Sequence, residues 1–446
     1  MDKIIDEKAL SSFNKSFLKD KKNKVLMNAV VKNGIYQTSE NQEKVINTPL
    51  AFSNIVNSCM ITNQKQSGRC WLFAASNILR FQAIKKLNLN DFEISQSYLF
   101  FYDKLEKANF FLESILKTLK ESNGSRLLSF LLTTPIQDGG QWDMVVNIVK
   151  KYGVVPKDVY PESYSSSRSI ELNSILSTKL REYAAILRRE SYKGTKIADL
   201  RCMKEKMLDS IYRILVISLG TPVKKFNFSI MDKNNQIINI DNITPLDFYK
   251  HYVGLDLDDY IPIINSPTND KPLNKSYTVK YLGNVFEGKP VKYLNAPIST
   301  LKRVTIKQLE DGEAVWFGAD ISKCASRSNG VLSKDIYDID SLFSLTSTLD
   351  KATRLDYLDS CMNHAMTFTG VNVNKGIADR FRVDNSWGSE NGRNGHYIMD
   401  SNWFDEFVYQ VVVKRKYLTD DEYKAYLLKP IELEPWDPMG SLALAK

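Results

Sequence analysis

Three short segments of this chain carry residues whose types and spacing can do chemistry together. The first is Asn63-Gln64-Lys65-Gln66-Ser67-Gly68-Arg69-Cys70-Trp71, in which a cysteine stands where a loop runs into an apolar stretch of helical period. A thiol at the start of a helix feels the partial positive charge of the first amides, which favours the thiolate. Gly68 lets the backbone come close to whatever the sulfur attacks. Gln64, six residues upstream of Cys70, can present an amide donor to the same point. Taken alone, a cysteine at the head of an apolar helix is more often a buried structural residue. The chemistry needs a base.

Only three histidines are available. His251, in Phe248-Tyr249-Lys250-His251-Tyr252, reads as helix surface or core packing. His396 follows Gly395 in a glycine-rich turn and reads as exposed or backbone-bonded. His364 heads the apolar, strand-like run Asn363-His364-Ala365-Met366-Thr367-Phe368-Thr369-Gly370, where an imidazole needs a partner. Asn385 supplies one, 21 residues on, in Val383-Asp384-Asn385-Ser386-Trp387-Gly388. Its side-chain oxygen can accept from one ring nitrogen, fix the tautomer and leave the other nitrogen to face a thiol. Thiol, base and orienting amide are the parts of nucleophilic acyl transfer.

The elements that must position these residues are legible as periodicity. Trp71, Ala74, Ala75, Ile78, Leu79 and Ile84 recur near 3.6 and predict a buried helix to Leu87. A second helix starts at Ser95 with Tyr98, Leu99, Tyr102 and Leu105 on one stripe, and a third spans 142–152, stopped by Gly153. After the polar loop Tyr160–Ser167 come two long amphipathic helices, 169–190 and 198–218, the second ending at Gly220. The period then changes to two. Phe226, Phe228 and Ile230 face Ile237, Ile238 and Ile240 across a turn at 232–235. Further strands are expected at 315–317, 364–373, 381–383 and 408–413. Helices first and strands later, without βαβ alternation, make the class α+β.

Composition bounds the rest. With 446 residues, 43% of them apolar or aromatic, the chain can bury a sizeable core in two or three domains. A charged share of 25% excludes wholesale disorder. The net charge of +8 permits contact with nucleic acid without demanding it, and the basic run Lys19-Asp20-Lys21-Lys22-Asn23-Lys24 reads as a solvated helix end. No run of apolar residues is long enough for a membrane helix, and the charged start Met1–Lys8 lacks the apolar core of a signal peptide. Five scattered cysteines do not form a disulfide framework, so the expected compartment is the cytoplasm.

The three segments resemble the signatures of the papain-like cysteine peptidases. Ser67-Gly68-Arg69-Cys70-Trp71 is similar to the pattern around their nucleophile, with Ser67 where secreted members carry a disulfide cysteine. Asn385-Ser386-Trp387-Gly388, followed by Gly392 and Gly395-His396-Tyr397, resembles their asparagine motif, and Asp138-Gly139-Gly140 their glycine pair beside the substrate backbone. Cys70 and His364 are 294 residues apart, against about 130–150 in the papain pattern, so an insertion of about 150 residues must separate them. That insertion and the C-terminal Trp436-Asp437-Pro438-Met439-Gly440 resemble the bleomycin hydrolase and aminopeptidase C branch.

The resemblance implies a two-lobed fold, one lobe helical and one β-barrel-like, with a mainly helical insertion and a C-terminal arm. The expected boundaries are 1–62 for an N-terminal helical hook, 63–160 for the lobe bearing Cys70, 161–290 for the insertion, 291–435 for the lobe bearing His364 and Asn385, and 436–446 for the arm. It implies peptide substrates, no cofactor and no metal, and a homohexamer whose sites face an inner channel. Gln64 and the Cys70 N–H hold the oxyanion, Trp387 shields the His364–Asn385 bond, and Asp138, Gly139 and Gly140 border the substrate. The arm, ending at Lys446, lies in the cleft; Leu444-Ala445-Lys446 makes it longer than the family's. The activity so implied is that of a cysteine aminopeptidase. Its rivals are an endopeptidase of the same fold, a nucleic-acid-binding or scaffold protein with a vestigial site, and a zinc site at Cys361-Met362-Asn363-His364, for which a single Cys-x-x-His pair is a poor ligand set.

Overall fold

A computed structural model describes residues 4–56 and 59–442 of the chain. The chain opens with four helices, α1 (Glu7–Lys19), α2 (Lys22–Asn33), α3 (Ile35–Ser39) and α4 (Gln42–Ile46), and a short strand β1 (Asn54–Ile55). The next helices carry the first chemical segment and its surroundings: α5 (Cys70–Leu87), α6 (Gln96–Lys117), α7 (Arg126–Thr133) and α8 (Trp142–Tyr152). After α9 (Tyr164–Ser167) come the two long helices α10 (Ile170–Tyr192) and α11 (Ile197–Leu219) and the hairpin β2 (Phe226–Met231) and β3 (Ile237–Ile243). The expected helices, hairpin and stops are all present, with helix ends within two residues of those read from the periodicity.

The remaining strands build one mixed sheet. They are β4 (Tyr260–Ile264), β5 (Lys275–Val279), β6 (Tyr293–Asn295), β7 (Val315–Ala319), β8 (Ala325–Ser326), β9 (Val331–Leu332), β10 (His364–Asn374), β11 (Ile377–Asp384), β12 (His396–Asp400), β13 (Val408–Lys414) and β14 (Ile431–Leu433). Their order is β14-β5-β6-β4-β13-β7-β10-β11-β12-β9-β8, with β1 paired to β10. The class is α+β, as expected. β4 and β5, which lie before residue 290, pair within this sheet. Their apolar and aromatic residues are buried on both faces, which is why they join the core rather than the helical block.

Helix α5 is the centre of the packing. Thirteen of its eighteen residues are buried, so it is covered all round rather than along one stripe. Two polar contacts fix its height on the sheet: Trp316 Nε1 donates to the Trp71 carbonyl at 3.2 Å, and Thr367 Oγ1 donates to the Ala74 carbonyl at 3.2 Å. Those contacts bring the first residue of α5, Cys70, level with the first residue of β10, His364.

Gly140 shows how closely this region is fitted. A Cβ added there would stand 2.6 Å from Cε2 of the fully buried Trp71 ring. Gly140→Ala must therefore displace Trp71 and should cost about 1–3 kcal/mol, read as a lowered midpoint in denaturant unfolding. An unchanged midpoint would mean that the ring has room to move.

Candidate active site

Cys70 is the first residue of α5, fully buried, preceded by Arg69 at the helix start. Arg69 is itself fully buried. Its guanidinium grips Glu162 with two bonds of 3.0 and 2.9 Å, donates to Ser67 Oγ at 2.9 Å and lies over the rings of Phe73 and Phe100. That fixes the loop from one side.

The other side is fixed by Asp138. Its carboxylate accepts the Gly68 N–H at 2.8 Å, the Ser169 hydroxyl and the Asn173 amide at 2.7 Å, and pairs with buried Lys104 at 2.7 Å. Burial alone would raise a carboxyl pKa, but the Lys104 charge and these donors overcome it and hold Asp138 well below the usual carboxylate range. Lys107, buried on the next turn of α6, donates to the carbonyls of Gln137 at 3.0 Å and Gly139 at 2.6 Å. It pairs with Asp103 at 2.6 Å.

Gln64 is pinned at both ends of its amide. Nε2 donates to the Ser67 carbonyl at 2.6 Å, and Oε1 accepts the Ser386 hydroxyl at 2.6 Å. Because a carbonyl can only accept, the amide orientation follows, and one Nε2–H remains for a further acceptor. His364 begins β10 and its Nε2 lies 2.9 Å from Asn385 Oδ1. Oδ1 also accepts the Ser386 N–H at 2.8 Å, so it is the oxygen that meets the ring. The proton then sits on Nε2, and Nδ1 carries the lone pair, with no hydrogen-bond partner of its own among the described residues. The Trp387 ring covers His364 at 4.8 Å between centroids, tilted by 35°. Gln64, Gly68, His364 and Trp387 border one cleft of about 560 Å³.

The electrostatics of the two reacting groups are dominated by burial. Burial pushes the Cys70 thiol up to about 12, against the backbone N–H groups of Ala365 and Trp71, which favour the thiolate. Burial likewise pushes His364 down to about 4, against the Asn385 bond that favours the imidazolium. Thus the helix start does not lower the thiol pKa by itself, as its position in the sequence suggests; desolvation outweighs it. Either charge alone is disfavoured, while both together attract by roughly 4 kcal/mol at 4 Å and an effective dielectric near 20. A thiolate is favoured here only when the imidazole takes the proton.

Several expected residues have other surroundings. Asp138 lines the cleft, but its carboxylate is committed to protein donors. Gly139 and Gly140 are buried behind it, one giving its carbonyl to Lys107 and the other packed under Trp71. The wall facing the cleft is instead Ile136, Gln137 and Asp138. His396 is neither exposed nor backbone-bonded through its ring: Nδ1 lies 2.8 Å from Asp384 Oδ1, with Arg382 on its other side. His251 is exposed. Lys446 lies outside the described residues. The described part of the arm ends nearby, with Gln141 Nε2 donating to the Ser441 carbonyl at 2.7 Å and Ser441 Oγ to the Met362 carbonyl at 2.8 Å. Among the described residues no group of three His, Cys, Asp or Glu side chains is placed to hold a metal. Sequence reading missed Lys104, Asn173, Arg69 and Arg327, the last standing over Trp387. For Lys104 the available signal was a lysine among apolar neighbours of α6, which a one-stripe helix would place in solvent.

Comparisons with known proteins place this geometry. The model of the Peptidase C1-like family matches residues 4–440. Aminopeptidase C of Listeria innocua is 47% identical over 435 residues, 98% of each chain. Bleomycin hydrolase of Homo sapiens is 42% identical over 391 residues, 86% of each. The crystal structure of pepw from Lactobacillus rhamnosis superposes with a TM-score of 0.98 at 45% identity, covering 99% of this chain and 100% of that one.

Two outcomes test the site. Asp138→Asn leaves buried Lys104 without its counter-charge and should cost about 3–5 kcal/mol at neutral pH, measured by denaturant unfolding. Because the folded pKa of Asp138 is depressed, its contribution is present above the unfolded value of about 3.9 and lost as pH falls below it. Wild type should lose that part in acid and the variant should not. The second concerns the thiol. In His364→Ala, alkylation of Cys70 should become slow at neutral pH and rise only on the alkaline side of an ordinary thiol; equal neutral-pH rates in both proteins would refute the paired ionisation.

Proposed function

The chain belongs to the Peptidase C1-like family, and on that premise we propose a cysteine aminopeptidase that releases N-terminal residues from peptides through a thioester. The observation that carries the reading is the convergence of four side chains: Gln64 and His364 border one cleft, Asn385 bonds His364, and the Cys70 thiol at the head of α5 lies against the Ala365 N–H, next in the chain to His364. In this reading His364 Nδ1 takes the thiol proton as Cys70 Sγ attacks the scissile carbonyl. The remaining Nε2–H of Gln64 and the Cys70 backbone N–H receive the oxyanion, and one such donor is worth about 2.7–4 kcal/mol in the transition state. His364 then gives its proton to the leaving amine and activates water for deacylation. Asn385 holds the ring tautomer throughout, and Trp387 keeps water from the His364–Asn385 bond.

Removal of single residues requires that the cleft be closed beyond the first one. In this reading the arm does this. Its last described residues are tied to Gln141 and to Met362, two residues before His364, and Leu442 packs against the core. Ile136 and Gln137 border both the cleft and the small cavity that Gly440 and Leu442 line, so the arm approaches along that wall. An arm lying along that wall would block the subsites beyond the first.

A homohexamer and a cytoplasmic setting belong to the same reading. Supporting the first, α1 and α2 have no buried residue, and Phe13, Leu18, Val25 and Val31 stand exposed on them. Such a face is suited to another copy of the chain. Supporting the second, Ser67 stands where secreted relatives of this fold carry a disulfide cysteine. Among the described residues no helix is long and apolar enough to cross a membrane.

The test is a set of matched peptides with free and acetylated N-termini, cleaved by wild type, by Cys70→Ser and by a chain truncated after Met439. Wild type should release only the free N-terminal residue, and Cys70→Ser should lose turnover by several orders of magnitude while remaining folded. The truncated chain should gain cleavage of the acetylated peptides. If truncation changes neither activity, the arm is not the gate and an endopeptidase is the better description.

A further inference from the structure

Beyond the reacting groups, the cleft carries a cation with no counter-charge. Arg327 borders the cleft together with His364 and Trp387. Its guanidinium lies over the Trp387 ring, 4.7 Å from the centroid, and the same ring covers His364 at 4.8 Å. Arg327 is exposed, and among the described residues its side chain makes no ion pair and no hydrogen bond; only its backbone carbonyl is used, by Gly392 and Tyr397. The carboxylate that lines the cleft, Asp138, is spent on Lys104 and on its donors. Two acids lie three residues from Trp387 in the chain: Asp384 is engaged with His396 and Thr369, and Glu390 turns to Asn63, which donates to it at 3.2 Å. A guanidinium over an aromatic face keeps N–H donors free for an anion.

The direction of the substrate decides what meets that cation. His364 protonates the leaving amine, so the part of the peptide after the scissile bond runs on the side of His364, Trp387 and Arg327. The arm approaches from the other wall, at Ile136 and Gln137. We propose that Arg327 is a specificity-determining residue that binds a carboxylate on the leaving fragment, favouring peptides with a negative charge within a residue or two of the cleaved bond. The charge has two sources: the terminal carboxylate of a dipeptide or tripeptide, and an acidic side chain immediately after the bond. This rests on the aminopeptidase reading and adds to it a preferred substrate class, short or acidic peptides.

The experiment compares ratios within each enzyme. Leucyl-alanine and leucyl-alaninamide form one pair, which reports the terminal carboxylate. Leucyl-aspartamide and leucyl-asparaginamide, both amidated at the C-terminus, form the second, which reports the side chain. In wild type kcat/KM should favour the charged member of at least one pair. Arg327→Gln should reduce that preference by about threefold to tenfold, mainly through KM, with Arg327→Lys keeping part of it. Lys65→Gln, which removes another exposed cation of the cleft, serves as the comparison. A preference unchanged in Arg327→Gln, or lost equally in Lys65→Gln, would overturn the assignment in favour of a diffuse positive field. Failure of wild type to cleave any of the four peptides would overturn the aminopeptidase reading itself, and the two failures are distinct.

Discussion

One buried carboxylate ties the chemical loop to everything around it. Asp138 takes the N–H of Gly68 from the segment before α5, the side chains of Ser169 and Asn173 from the start of α10, and the ammonium of Lys104 from α6. Its own backbone carbonyl accepts Trp71 Nε1 at 2.6 Å, so a single residue holds both ends of the turn that presents Cys70. A buried charge so compensated cannot lose one partner without exposing another to an apolar surrounding. The first long helix after residue 160, α10, is therefore part of the site's frame. Its first turn closes the ring of donors that the loop depends on.

The rigidity has an electrostatic purpose. With the thiol pushed up and the imidazole pushed down by the same burial, proton transfer between them depends on how well their positions are kept. An ion pair loses its advantage quickly as separation grows, while the desolvation penalty stays. Trp316 and Thr367 set the height of α5 on the sheet, and Asn385 sets the rotation of the ring. Position, rather than an intrinsically reactive sulfur, is what the surrounding structure supplies. The charged network of Asp103, Lys104, Lys107 and Asp138 lies one layer behind that position and keeps it.

The residues proposed to do chemistry were readable because each carries a local signal. Cys70 begins an apolar helix, His364 begins an apolar strand, and Asn385 ends one, and the families that share these signals share their order along the chain. The long helices, the hairpin and the central strands were readable because period 3.6 and period 2 are local as well. What was not readable came from three-dimensional enclosure. The stripe of Tyr98, Leu99, Tyr102 and Leu105 predicts a helix with one buried face; in the fold Tyr102 and Leu105 are half-buried while Asp103, Lys104, Glu106 and Lys107 are buried. Periodicity puts those charges in solvent because it cannot see partners 30 to 180 residues away, such as Gln137, Asn173 and Asn284. The resemblance set Gly139 and Gly140 beside the substrate; in the fold the Trp71 ring fills the space that Gly140 leaves open. The strands β4 and β5 went unread, since a short strand buried throughout, such as β4, carries no alternation to mark its sheet.

The five cysteines differ in a way that bears on how this protein can be labelled. Cys202 lies exposed on α11, Cys324 and Cys361 are half-buried, and Cys59 and Cys70 are buried. A bulky thiol reagent orders its targets by access, and here access and reactivity rank the thiols differently. The first equivalent consumed belongs to Cys202, on a helix that takes no part in the cleft. Stoichiometry and inactivation must then run out of step. A fluorophore or crosslinker attached at one equivalent reports on the insertion, while the sulfur at the head of α5 is left for the smallest electrophiles and for a peptide carbonyl delivered along the cleft.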